Sequence, residues 1–119
     1  MNIGILMLVL TFADGGQLSA AFVNTPTMAD CERRATAVRA ILEKGGTRIE
    51  RILCRESEAR FEPFVHGDAQ GKERQSYLIR IGERRASVQW MAPGQACRPD
   101  GGEPAYCATS AQKLLAKAQ

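Results

Sequence analysis

Apolar residues run almost unbroken from Ile3 to Ala13, with only Gly4 and Thr11 between them, and Asp14-Gly15-Gly16-Gln17 ends the run. Both alternating sets of positions are filled, so as a strand this segment predicts burial on both faces. Asp-Gly is a strong turn signal, and it predicts an N-terminal hairpin whose second strand covers residues 17–24. Such a hairpin would also leave an edge for strand addition. The same run has the length of a signal-peptide core, and Ser19-Ala20-Ala21 supplies the small residues read before a cut ahead of Phe22. Against export, Met1 and Asn2 bring no Lys or Arg and Asp14 sits oddly before the cut. Residues 1–21 therefore carry two readings, strand and turn or cleaved signal. The run falls short of the about 20 residues that span a bilayer, which predicts no transmembrane helix.

Helical spacing begins after Thr27. Met28, Cys31, Ala35, Val38, Ile41 and Leu42 share one face of a predicted helix over about 28–44. Thr27 caps it, with Asp30 three residues on, and Gly45-Gly46 stops it. A strand over about 47–55 follows, without a clean alternation. Residues 56–72 read as an exposed connection, with Phe61, Pro63, Phe64 and Val65 as its apolar group. Period-two alternation returns in Tyr77, Ile79 and Ile81, then in Val88 and Trp90, predicting a hairpin over about 75–92 that turns at Gly82-Glu83-Arg84-Arg85. Trp90 is expected to pack on the core. A short C-terminal helix over about 110–117 is predicted from a Thr109 cap, Gln112 in the box position and buried Leu114 and Leu115. Together these elements predict an α+β fold, a small mostly antiparallel sheet packed on one main helix.

Four cysteines change that outline, because an even count in a 119-residue chain is the arithmetic of two disulfides in an oxidising compartment. The sequence-local pairing, Cys31–Cys54 and Cys97–Cys107, is favoured. Cys31 lies in the first turn on the buried helical face, and the strand that returns through two glycines brings Cys54 back over that helix. The loop from Cys97 to Cys107 is rich in Pro, Gly and Asp and needs a staple to hold one conformation. Intervals of twenty-two, forty-two and nine residues between successive cysteines contain no close pair of the kind zinc sites use. No metal or cofactor is expected. The two compartment readings follow from the same residues: periplasmic or secreted with disulfides formed, cytoplasmic with residues 1–21 retained and the thiols reduced.

Sixteen basic and thirteen acidic residues leave a formal charge of +3, too mild to imply a nucleic-acid partner. The one histidine, His66, lies in the 56–72 segment near Asp68. Glu56, Glu58 and Glu62 are interleaved with Arg55 and Arg60, which reads as a solvated charged stretch rather than a paired acid and base. No catalytic constellation emerges. Arg33 and Arg34 on the helix, and Arg80, Arg84 and Arg85 around the hairpin turn, form two candidate contact patches, with Trp90 and Tyr106 as candidate interface aromatics. The expected function is a small non-enzymatic binding, adaptor or accessory protein with a protein partner, exported and disulfide-stabilised. The alternative is an intracellular module whose Arg patches contact nucleic acid or an acidic protein.

Overall fold

A computed structural model of the chain describes residues 3–63, 74–99 and 104–115. His66, Asp68 and the rest of residues 64–72 of the predicted 56–72 connection lie outside the described residues. Among the described residues eight elements follow one another: β1 (Gly4–Phe12), a 3-10 turn (Asp14–Gly16), β2 (Leu18–Thr25), α1 (Met28–Lys44), β3 (Ile49–Ser57), β4 (Gln75–Ile81), β5 (Ala86–Met91) and β6 (Ala105–Ser110). The strands form one six-stranded sheet in the order β3-β1-β2-β6-β4-β5.

β1 and β2 pair antiparallel from Ile5↔Thr25 to Phe12↔Leu18. Gly15 and Gly16 both have φ near +80°, where a side chain would be strained, and they let the chain reverse in a 3-10 turn instead of a two-residue one. β1 is also paired on its other side with β3, so the expected free edge on the hairpin belongs to neither flank of β1. β2 pairs with β6 in parallel, through Leu18↔Ala108 and Ser19↔Thr109. That pairing makes the sheet mixed where a mostly antiparallel one was expected. The signal was weak, because β6 is six short residues without alternation and its partner lies almost ninety positions earlier.

The two outermost strands approach each other. Glu56 on β3 forms a parallel bridge with Arg85 beside β5, its N–H donating to the Arg84 carbonyl at 2.9 Å, and Arg55 Nε donates to the Gly82 carbonyl at 2.7 Å. Leu53 of β3 and Val88 of β5 consequently meet in one buried cluster with Leu6, Leu8 and Leu10 of β1 and Tyr77, Ile79 and Ile81 of β4. The sheet is therefore rolled into a barrel whose interior is that cluster. Met7 and Val9, on the other face of β1, pack outside the barrel against Cys31, Cys54 and the apolar face of α1. The two-sided hydrophobic run of the sequence has this cause: β1 separates two cores.

α1 has the predicted limits. Thr27 Oγ1 accepts from the Asp30 N–H at 3.1 Å, and at the other end Gly46, at φ +80°, lets Thr47 N–H reach the Leu42 carbonyl at 2.9 Å. The predicted C-terminal helix over 110–117 is absent among the described residues. Lys113 and Leu115 instead pair with the chain at 60–62, through Glu62 N–H to the Lys113 carbonyl and Leu115 N–H to the Arg60 carbonyl, and Leu114 bridges Phe61. An isolated helix of two turns is marginal in water, and the extended form gains these bonds. The segment expected as an exposed connection also starts inside the fold: β3 continues to Ser57, and Ser57, Ala59 and Phe61 are buried.

Candidate functional site

Each disulfide fastens a covering element to the outside of the barrel. Cys31–Cys54 ties the first turn of α1 to β3, and Cys97–Cys107 ties the segment after β5 to β6, both with Cα atoms 6.1 Å apart. On the chain-entropy account each closed loop contributes about 3 kcal/mol, a large share for a domain of this size.

The candidate binding residues do not assemble into one surface. Arg33 and Arg34 are exposed on α1, and Arg33 is paired with Asp30. Arg84 and Arg85 lie at the barrel seam, where Arg85 Nε is 3.8 Å from Glu56. Arg80 is half-buried on β4, opposite Ser87 and Ala105. Trp90, expected in the core, is 47% exposed. It stands opposite Tyr77 near the end of β5, beyond the packed interior, and its Nε1 donates to Gln75 Oε1 at 2.9 Å. Tyr106 is half-buried against the interior cluster, facing Ile79.

Sequence reasoning missed a buried polar node. Beyond Ser19↔Thr109 the β2–β6 pairing stops, and the Gln112 side chain takes over: Oε1 accepts from Phe22 N–H at 2.8 Å, while Nε2 donates to the carbonyls of Phe22 at 2.8 Å and Glu62 at 2.9 Å. Asn24 does the same one step along, donating from Nδ2 to the Ala59 carbonyl and accepting the Phe61 N–H at Oδ1. Two side-chain amides thus replace strand pairing, which no local pattern announces.

Next to this node lies an aromatic cluster. Phe22 and Phe61 stack with centroids 3.9 Å apart, and Tyr77 meets both rings edge-on. The Tyr77 hydroxyl donates to the Gln112 carbonyl at 2.7 Å and accepts the Leu114 N–H at 3.0 Å. Burial raises the pKa of this phenol above its ordinary 10.0; the Leu114 N–H pulls the other way and the Glu62 carboxylate adds to the rise. A folded-state pKa above the unfolded one means that stability is fully present below pH 10 and is lost as pH rises through the folded value. Urea midpoints measured on either side of pH 10 are expected to show a fall of up to about 1.4 kcal/mol per pH unit that Tyr77→Phe lacks. That variant itself loses about 1 to 3 kcal/mol at neutral pH, because both hydroxyl bonds go.

Among the described residues, cavities open at two places around the barrel. One, of about 470 Å³, lies beside the Cys97–Cys107 bond between Gln17, Ser76, Met91 and Gln95. The other, of about 380 Å³, lies between α1 and the sheet. Its floor comes from β1 and β2, its wall is Val38 and Leu42, and Arg74 stands at its rim. Arg74 donates from Nε to Thr109 Oγ1 and from Nη2 to Ser19 Oγ and the Thr109 carbonyl. Among the described residues no cluster of His, Cys, Asp and Glu has the makings of a metal site, and no helix is long and apolar enough to cross a membrane. Comparison with family models, curated proteins and solved structures found no match to this chain.

Proposed function

We infer that the chain is a small non-enzymatic binding protein, exported with residues 1–21 kept as part of the folded domain and held in shape by its two disulfides. The observation that carries this reading is that all four cysteines are paired, with no free cysteine. Reducing compartments keep thiols open, whereas small exported domains use such bonds to supplement a thin core. Both bonds hold elements that flank outer cavities, α1 beside one and the strap after β5 beside the other. Such bracing suits a surface that must keep its shape to receive a partner.

The test is intact mass on protein isolated from its own host, with and without thiol alkylation. Expected is a mass four protons below the reduced value and no alkylated thiol in the folded protein. Four alkylated thiols would overturn the exported reading.

A further inference from the structure

The groove beside α1 is graded from apolar to polar along its length. On the helix side β1 and β2 present three successive cross-strand pairs, Met7 with Val23, Val9 with Ala21 and Thr11 with Ser19. The first two pairs are apolar and the third carries two hydroxyls. Four residues of strand separate the ends, about 13 to 14 Å. α1 packs chiefly on β3, to which its disulfide ties it, so it walls the groove without closing over β2.

Arg74 marks the polar end. Its guanidinium is held by Ser19 and Thr109, all neutral acceptors, and no carboxylate among the described residues pairs with it. The Nη1 donors remain unused by those bonds. A fixed cation with spare donors at the wet end of an apolar slot complements an amphipathic anion, and the planar fork of arginine matches a carboxylate. Groove size is also that of small-ligand sites.

We propose that this groove binds a medium-chain fatty-acid carboxylate, with the alkyl chain along the partly open side chains of Ala21, Val23, Val38 and Leu42 above the buried Met7 and Val9, and the head group on Arg74. Thr11 and Ser19 supply the polar floor beneath the head. The proposal rests on the binding-protein reading and gives it a ligand class.

The experiment uses the full disulfide-bonded chain, titrated calorimetrically with dodecanoate below its micelle concentration. Dodecan-1-ol supplies the chain without the charge, and acetate the charge without the chain. Expected is saturable one-to-one binding of dodecanoate, with amide NMR shifts at Ala21, Val23 and Leu42 and no binding of acetate. Dodecan-1-ol on the native chain, and dodecanoate on Arg74→Gln, are each expected to bind about ten-fold more weakly, the loss of one charge-assisted contact. Ala21→Leu fills the floor without touching Arg74, and it is expected to abolish binding while the thermal transition persists. It decides alone should Arg74→Gln fail to fold. No saturable binding to the native chain, or binding that survives both substitutions, overturns the proposal. Thiol state is read separately, so paired cysteines without dodecanoate binding sink the ligand assignment alone, and open thiols with binding sink the export reading alone.

Discussion

A chain that begins at Phe22 is expected to be unfolded, with no cooperative thermal transition and with cysteines open to alkylation once reduced. The loss is that of a central strand. β1 carries Leu6, Leu8 and Leu10, each fully buried in the barrel, and Met7 and Val9 buried beneath α1. Burying five such side chains is worth on the order of 10 kcal/mol, as much as the whole net stability of an ordinary domain. Pairing suffers equally, because among the described residues β3 has its only ladder along β1 and otherwise bridges the sheet at Glu56–Arg85. Without β1 the inner face of β3 and the helix-side face of β2 both lie open. Circular dichroism on residues 22–119, prepared oxidised, makes the comparison. A cooperative transition close to that of the full chain would show that residues 1–21 are dispensable, and would favour the signal-peptide reading of the run.

What was legible in the sequence was whatever a local period or a covalent arithmetic could report. The helix is the clearest case: six apolar residues at helical spacing, a Thr27 cap and two closing glycines give the limits that the structure has. The apolar run before Asp14 was legible as a two-sided strand for the same reason, since both alternating sets face a core. Cys31 and Cys54 were placed by the same local geometry, a first helical turn and the strand that returns over it. The rest depends on contacts between residues far apart. Trp90 follows the inward alternation of Val88, yet it falls past the filled part of the barrel and stays half in water. β6 is built from Ala, Tyr, Cys, Thr and Ser, and its place between β2 and β4 is fixed by partners outside any local window. The groove joins Val9, Leu42 and Arg74, and no spacing rule relates them.

Gln112 shows most sharply how a sequence signal can be right in residue and wrong in role. Three positions after Thr109 it reads as the second member of a capping box; in the fold it is 2% exposed and bonds backbone groups ninety and fifty positions away. The reason is a gap: β6 diverges from β2 after Thr109, leaving the Phe22 N–H and carbonyl facing the interior with no strand beside them. Among the described residues no buried side-chain nitrogen or oxygen lacks a partner, so the amide is matched on both atoms. Gln112→Ala removes three bonds at once and strands two buried backbone groups of Phe22 and the part-buried carbonyl of Glu62. The expected cost is about 3 to 5 kcal/mol, combining the lost bonds with the desolvation of their partners. Gln112→Glu keeps the acceptor for Phe22 N–H, but in place of the donating Nε2 it sets an oxygen against two carbonyl oxygens, so it is expected to be no better. Exposed Lys113→Ala, one residue on, is expected to stay within about 0.5 kcal/mol of the native chain. Urea unfolding of the four proteins measures all of this, and a loss below about 1 kcal/mol for Gln112→Ala would mean that the amide does not bridge the gap. Because the Gln112 side chain holds in place the backbone carbonyl that accepts the Tyr77 hydroxyl, the same variant is also expected to lose near-UV signal from the packed Phe22, Phe61 and Tyr77 rings before the far-UV signal of α1 falls.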